Sequence, residues 1–323
     1  SMAPDDRMGI LGPAPTGRPL FYRRSIQPIE AINQRGDPVT EAVLTADLRA
    51  APVGALDHRF IGLLKDEHVL TLRFDRGLDN FGDDLALMID GWIEYPYSQT
   101  GFAAWQAGAA FEAPTLEARG RDGVWKTVLE QWGYPAGMPR RMAVPLPPLP
   151  PGTTELRLRT NQEIYWDRVA LVALESCPLA VRTELPLVEA RLEQTGFALR
   201  TTGEQHLPNY DYARRAPVWD TRSQEGWYTR LGPVEPLLSA ADGATVIFGP
   251  GEEVHMEFAV PTGPPADASH RSYVLESEGW CKDMDLYTKD GETLGPLPGV
   301  ERGGAERIAL IETFNTRYRQ GRD

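Results

Sequence analysis

The segment Leu156-Arg157-Leu158-Arg159-Thr160 alternates apolar with polar side chains, and Leu70-Thr71-Leu72-Arg73-Phe74 has the same period of two. Alternate side chains of a β-strand lie on opposite faces, so this pattern predicts strands with one face in a core. The runs Leu85–Ile89 and Arg168–Val172 are more continuously apolar and predict strands that are more fully buried. The sequence therefore predicts an all-β protein.

Turn residues separate the predicted strands. The dipeptides Asp122-Gly123, Pro151-Gly152, Asp242-Gly243 and Asp290-Gly291 favour tight turns. The proline-rich segment 145–151 cannot lie inside a sheet, because proline has no backbone N–H to donate. We expect that segment to be an extended connection.

One stretch shows a clear helical period. In Ala305–Arg319, apolar side chains recur at intervals of three to four residues, which predicts a C-terminal helix that packs by one face. The alanine-rich stretch Phe102–Phe111 is interrupted by Gly108, and both a helix and a strand stay open there.

The chain has 323 residues and a net charge of −13, with 41% apolar residues. The length favours two domains or one large all-β unit. The acidic balance argues against a nucleic-acid partner, because such a partner needs a basic surface. No apolar run is long enough to predict a membrane span. The two cysteines, Cys177 and Cys281, are expected to be free and buried, and a disulfide between them stays open.

Three short segments of the first half recur in the same order in the second half. The matched pairs are Phe21–Arg24 with Trp227–Arg230, Glu67–Phe74 with Glu252–Phe258, and Leu87–Trp92 with Leu275–Trp280. This order predicts an internal duplication, with tandem jelly-roll-like β-sandwich units over residues 1–176 and 177–323. Trp92 and Trp280 should then occupy equivalent, buried positions.

Several blocks are similar to those of a known bacterial module. The blocks are Asp90–Trp92, Trp132–Gly137, Arg159–Arg168, Asn209–Tyr212, Gly249–Val254 and Gly279–Asp285. They resemble an uncharacterised module that follows FG-GAP or tetratricopeptide repeats in proteins related to the ASPIC/UnbV and cartilage acidic protein group. The resemblance implies an extracellular or cell-envelope (periplasmic) setting, and it supplies no catalytic residue.

The strong catalytic motifs are absent from the sequence. There is no G-x-S-x-G elbow, no P-loop, no G-x-G-x-x-G and no H-E-x-x-H. The five histidines are His58, His68, His206, His255 and His270. No two of them lie close enough in sequence to form a local metal pair. Because both the motifs and such a pair are missing, the sequence predicts no catalytic residue.

Asp283 and Asp285 are candidate calcium ligands. Residues two apart in an extended segment project on the same side, so both carboxylates could reach one hard cation. The alternative is solvated charge, partly neutralised by Lys282 and Lys289.

Glu163 and Asp167 form a candidate pair for glycoside hydrolysis. In a strand the two residues lie about 13 Å apart along the chain, because each residue adds about 3.3 Å. That separation exceeds the working distance of either hydrolase class. We expect instead a salt bridge between Asp167 and Arg168 or a nearby arginine.

Aromatic residues beside turn residues are the remaining signal. Aromatic rings stack on the apolar faces of sugars, while polar side chains bond the hydroxyl groups. The candidate ligand-binding residues are Tyr95, Tyr97, Trp132, Tyr134, Tyr165, Asp167, Tyr210 and Tyr212. The alternative is that these rings fill the ends of the sandwiches. The sequence thus favours a non-catalytic module that binds a glycan or a protein partner, over a carbohydrate-active hydrolase or a purely structural unit.

Overall fold

The computed structural model describes residues 1–11, 13–81, 84–217, 220–263, 271–298 and 304–321. Most of their regular secondary structure is antiparallel strand, which confirms the all-β class. They form two compact units. The first comprises Ser1–Ala180 and Thr201–Asn209, and the second comprises Val181–Arg200 and Tyr210–Asp323.

The first unit is a β-sandwich of two five-stranded sheets. Its strands are β1 (Met2–Pro4), β2 (Pro19–Ile26), β3 (Glu30–Ile32), β4 (Leu63–Arg73), β5 (Leu85–Ile93), β6 (Thr115–Arg119), β7 (Trp125–Leu129), β8 (Arg140–Pro145), β9 (Glu155–Gln162) and β10 (Ile164–Leu174). One sheet has the order β1-β2-β10-β5-β8, and the other has the order β3-β4-β9-β6-β7. Successive strands cross repeatedly from one sheet to the other, which gives the connectivity of a jelly roll.

The alternating strands bury one face between the two sheets. Leu70 and Leu72 of β4 pack there with Leu156 and Leu158 of β9, and all four are almost completely buried. Each such leucine contributes about 1.5–3 kcal/mol by leaving water. The strand predictions for these segments are therefore confirmed.

Strands β5 and β10 are buried on both faces, as their continuous apolar runs predict. Leu87 of β5 lies in the main core, while Ala86 and Met88 belong to a second apolar cluster with Ala170 and Val172 of β10. The proline-rich segment departs from the expectation only at Pro145, which ends the edge strand β8, and residues 146–150 are in no strand.

The remaining strands form smaller sheets. They are β11 (Leu187–Gln194), β12 (Phe197–Thr202), β13 (Pro208–Ala216), β14 (Gly226–Tyr228), β15 (Gly232–Pro233), β16 (Glu252–Phe258) and β17 (Arg317–Arg319). The sheet orders are β15-β11-β16, β12-β13 and β14-β17. The core of the second unit includes Leu192, Val234, Leu237 and Phe314.

The predicted equivalence of Trp92 and Trp280 is wrong. Trp92 lies in β5 and is completely buried, whereas Trp280 is 52% exposed and lies outside the described strands. The matched segment carries Glu276 and Ser277 where β5 has Met88 and Ile89, so it cannot be buried on both faces. The short sequence matches therefore do not correspond to a structural repeat at this position.

Three α-helices accompany the strands in the described residues. Helix α1 (Ser98–Gln106) covers the first half of the alanine-rich stretch, α2 (Glu235–Leu238) is a single turn, and α3 (Ala305–Phe314) is the predicted C-terminal helix. Helix α3 ends five residues before the predicted end at Arg319, because Arg317–Arg319 form β17 and pair with β14. The guanidinium Nη1 of Arg317 also binds the buried carboxylate of Glu252 at 2.6 Å.

Two further features bear on the sequence predictions. Cys177 and Cys281 are free, as expected, but both are exposed, so the expectation that they are buried is wrong. Both lie in stretches without helix or strand, where no core forms around them. None of the helices in the described ranges is long and apolar enough to cross a membrane.

Candidate functional site

A small cleft in the first unit brings several ionisable side chains together. Glu94 follows β5 and Glu163 precedes β10, and the two strands pair with Ile93 opposite Ile164. The backbone N–H of Glu94 donates to the carbonyl oxygen of Glu163 at 3.1 Å, so the two glutamates are neighbours. The cleft has a volume of ≈180 Å³. Its lining residues are Leu56, Asp57, His58, Phe60, Ile61, Gly62, Leu63, Glu94, Glu163 and His206.

Glu163 is the centre of a hydrogen-bond network in this cleft. Its Oε1 accepts a hydrogen bond from the hydroxyl of Tyr165 at 2.5 Å and lies 2.6 Å from Nδ1 of His206. The Glu163 side chain is only 3% exposed, whereas that of His206 is 43% exposed. Burial raises the pKa of Tyr165 strongly, and the hydrogen bond to Glu163 raises it further. The imidazole therefore links a buried carboxylate to solvent.

His206 is held in place by the residue before it. The side-chain amide of Gln205 donates to the carbonyl of Ala50 at 2.9 Å and accepts from the N–H of Ala50 at 3.0 Å. The indole Nε1 of Trp92 donates to the carbonyl of Gln205 at 2.9 Å. These three bonds fix the short turn that carries His206 against β5 and β10.

The backbone of this turn is strained. Gln205 and His206 have φ values of 53° and 50°, in the left-handed region that favours glycine. Each such residue costs about 1–3 kcal/mol and persists only where surrounding contacts hold it. Backbone strain of this kind is concentrated at functional sites, so His206 is a candidate functional residue.

The opposite wall of the cleft is the loop before β4. Gly62 has a φ of 77°, and a Cβ there would lie 2.4 Å from the carbonyl oxygen of Glu94, so only glycine permits this close approach. Asp57 is paired with Arg59, whose Nη2 lies 2.6 Å from Oδ2 of Asp57. The hydrogen bond from Arg59 lowers the pKa of Asp57 to about 2.

Tyr95 and Tyr97 are exposed, as their prediction as ligand-binding residues requires. They follow Glu94 directly, with 36% and 56% of their surfaces exposed. Their rings meet edge to face, with centroids 5.7 Å apart. The two residues are close in sequence to the cleft-lining Glu94, although neither of them lines the cleft.

Trp132 and Tyr134 are buried, so the expectation that they present exposed rings to a ligand is wrong. Trp132 is completely buried and stacks on Trp166 with centroids 6.5 Å apart, while Tyr134 is 6% exposed. The N-terminal segment covers them: Nε of Arg7 donates to the carbonyl of Trp132 at 2.8 Å, and the N–H of Met8 donates to the carbonyl of Tyr134 at 3.0 Å. Burial raises the pKa of Tyr134 to about 12.

Asp167 and Tyr165 are also buried, and neither lines the cleft, so the structure does not present them as contact residues for a sugar. The Asp167 carboxylate accepts hydrogen bonds from the backbone N–H groups of Asp47, Leu48 and Arg49, at 3.1–3.2 Å. Burial raises the pKa of Asp167, although these three donors oppose the shift. Asp167 therefore fixes the loop of residues 47–49 against β10.

The expected salt bridge between Asp167 and Arg168 does not form. Arg168 binds Asp90 instead, with Nη2 2.7 Å from Oδ2. The chain bulges between Trp166 and Arg168, so neighbouring residues do not keep the simple alternation of a regular strand.

Tyr210 and Tyr212 lie in the second unit, on β13. They are 38% and 59% exposed, and their rings stack with centroids 6.1 Å apart. They are not among the residues that line the cleft. Both side chains can reach a ligand, and their role as binding residues stays a prediction.

Asp283 and Asp285 lie in a loop of the second unit. Oδ1 of Asp285 accepts the backbone N–H groups of Tyr287 and Thr288, at 2.8 and 2.7 Å. In the part of the chain that the structure describes, no three or more His, Cys, Asp or Glu side chains are grouped to hold a metal ion. The calcium site stays a prediction.

Sequence reasoning missed Glu94 and His206. The sequence contains one usable signal for Glu94, since it ends a buried strand next to an aromatic pair. No signal marks His206, because it reaches Glu163 across 43 positions of the chain through an isolated turn.

Comparison of the chain with protein-family models, with curated proteins and with solved structures gives no match. The resemblance to the module of ASPIC/UnbV-related proteins stays a prediction. The function must therefore be argued from the site itself.

Proposed function

We propose that the first unit is a non-catalytic saccharide-binding module whose ligand lies in the cleft. The observation that carries the proposal is the placement of Glu94, Glu163 and His206 in one cleft. The exposed pair Tyr95 and Tyr97 follows Glu94 in the chain. Carboxylates and an imidazole can bond sugar hydroxyl groups, and tyrosine rings can stack on the apolar face of a sugar.

The scaffold supports this proposal. Loops at the edge of a rigid sandwich can vary without disturbing the core, so binding residues are commonly found there. Glu94 and Glu163 sit at strand ends, where backbone pairing fixes them, and His206 is fixed by Gln205. A site that is fixed before binding loses less entropy when the ligand arrives. The proposal also fits the extracellular or cell-envelope setting that the resemblance implies.

Replacement of Tyr97 by alanine is expected to weaken saccharide binding by about tenfold or more, because aromatic anchors carry much of the energy of a binding site. The free energy of unfolding should change little, since Tyr97 is 56% exposed. Binding to a glycan array, followed by calorimetry with the best glycan, measures the effect. Tyr273→Ala is the matched control, because Tyr273 is 62% exposed and lies in the second unit.

Retention of the glycan at full affinity by Tyr97→Ala would contradict the role of the aromatic pair. If the native protein retains no glycan on a broad array, the saccharide proposal fails. A protein-docking or purely structural role is then the better account of this unit.

A second candidate function is hydrolysis of a carbohydrate, and one observation favours it. A buried carboxylate that binds one nitrogen of an exposed histidine orients the ring, as in general-base catalysis. In the described residues, Nδ1 of His206 binds Glu163, and no hydrogen bond engages its Nε2.

If the cleft is catalytic, His206→Asn should abolish turnover of a bound glycan, and Glu163→Gln should reduce it strongly, while both variants still bind. Release of reducing sugar ends from the glycans retained on the array measures turnover. The matched control is His255→Asn, which changes an exposed histidine in the second unit. Complete absence of turnover by the native protein on every retained glycan leaves binding as the function.

A further inference from the structure

We infer that the cleft selects a saccharide that carries a free, protonated amine, such as a glucosamine oligomer. This inference rests on the proposed function and names the ligand class of the same site. It depends on how the charges in the cleft are paired.

Three carboxylates line the cleft, and two of them have partners. Asp57 is paired with the guanidinium of Arg59, and Glu163 binds the hydroxyl of Tyr165 and the ring of His206. The lining contains no lysine or arginine among the described residues. The cleft itself therefore supplies no fixed cation to attract an acidic sugar.

Glu94 is the carboxylate without a partner. Within the described ranges, no side chain and no backbone N–H donates a hydrogen bond to its carboxylate, and no cation forms a salt bridge with it. Its backbone is fixed by the bond to Glu163, so the side chain starts from a defined place at the cleft. A half-buried carboxylate gains most from a charged donor, because charge-assisted hydrogen bonds are stronger than neutral ones.

The aromatic residues next to Glu94 suit the same ligand. Ammonium groups bind over the faces of aromatic rings, and Tyr95 and Tyr97 offer exposed rings in the segment that directly follows Glu94. A cation–ring contact already occurs next to the cleft, since the guanidinium carbon of Arg59 lies 5.1 Å from the ring centre of the lining residue Phe60.

The net charge of the whole chain also favours a cationic ligand. A net charge of −13 attracts cationic ligands and repels uronic acids and sulfated sugars. An N-acetylated sugar can still use the hydroxyl contacts and the aromatic pair, but it cannot form the ion pair with Glu94. The sugar amine thus distinguishes this inference from saccharide binding in general.

The test is calorimetry of the full chain with three oligomers of equal length: glucosamine with protonated amines, N-acetylglucosamine, and a uronic acid. The glucosamine oligomer should bind about tenfold more tightly than the acetylated one, and the uronic acid oligomer should bind least. Glu94→Gln should remove this preference by weakening only the glucosamine complex. Glu257→Gln, at an exposed position of β16, should leave the preference unchanged.

The outcomes separate the inference from the proposed function. Equal affinity of the native protein for the glucosamine and acetylated oligomers overturns the amine preference and leaves saccharide binding intact. An equal loss of affinity for both oligomers in Glu94→Gln also overturns the amine preference, because Glu94 would then bond a hydroxyl group that both oligomers carry. Equal weakening by Glu257→Gln would show that the preference comes from the overall charge and not from the cleft. If no glycan of any class binds, the proposed function and the inference fail together.

Discussion

Replacement of Trp92 by alanine is expected to lower the free energy of unfolding by about 3–5 kcal/mol, as for other fully buried tryptophans. The Trp92 side chain has no exposed surface and stacks on Tyr165 with centroids 5.5 Å apart. Its removal leaves a cavity beside β10, which the surrounding strands can fill only in part. The variant also loses the bond from the indole Nε1 to the carbonyl of Gln205.

Urea unfolding followed by circular dichroism measures the effect. Trp105→Ala is the matched control, because Trp105 is 70% exposed on α1 and its removal should cost little. Trp92→Phe keeps an aromatic ring but removes the N–H donor, so it should cost less than alanine while still loosening the turn that carries His206. A loss below 1 kcal/mol for Trp92→Ala would contradict this account.

Trp92 also shows how far the sequence predicts the fold. Its strand is visible in the run Leu85–Ile89, because buried strands have a continuous apolar pattern that any local reading detects. Comparison of short sequence segments wrongly matched Trp92 with Trp280, since a Gly-Trp dipeptide can occur in a core or in an exposed loop. Burial depends on the residues that pack from elsewhere in the chain, and a short match contains none of them.

The candidate site was harder to predict because burial there also depends on residues from distant parts of the chain. Trp132 adjoins a glycine and resembles a loop residue, but the segment around Arg7 folds over it. Asp167 looks like a partner for Arg168, but a bulge separates them and the carboxylate fixes a distant loop. Tyr95 and Tyr97 are exposed as predicted, because the proline between them and the strand end before them keep that segment at the surface.

Buried polar groups with clear partners account for much of the specificity of the first unit. Glu163, Asp167 and Asp90 each accept hydrogen bonds from residues far away in the sequence. Loss of one donor would leave a buried carboxylate unsatisfied, which costs more than the bond itself contributes. Glu163 therefore binds the turn that carries His206, Asp167 fixes the loop of residues 47–49, and Asp90 links the neighbouring strands through Arg141 and Arg168.

His68 is a buried polar side chain without a hydrogen-bond partner among the described residues, and it predicts how the stability depends on pH. It lies on β4, on the same face as the core leucines Leu70 and Leu72, and is 1% exposed. In the described parts of the chain, neither of its ring nitrogens has a hydrogen-bond partner. Burial lowers its pKa from the ordinary 6.5 to about 4, because the charged ring would be desolvated.

The direction of the pH effect follows from this shift. The unfolded chain binds the proton of His68 more tightly than the folded protein does, so protonation favours unfolding. Above pH 6.5, protonation of His68 should not change the free energy of unfolding. As the pH falls from 6.5 to about 4, it should lower that free energy progressively. The full loss over that interval is about 3 kcal/mol, since each pKa unit corresponds to about 1.4 kcal/mol.

Urea unfolding at several pH values across this interval, with native protein and with His68→Leu, measures the contribution. The leucine variant should be at least as stable as the native protein at high pH, because it removes an unsatisfied buried polar group. Its stability should fall less on acidification, by a difference of about 3 kcal/mol near pH 4. His255→Leu is the matched control, because the His255 side chain is 47% exposed and its removal should leave the steep loss in place. Parallel pH profiles for the native protein and His68→Leu would show that His68 does not stay neutral within the core, and that acid instability of the sandwich arises from its carboxylates.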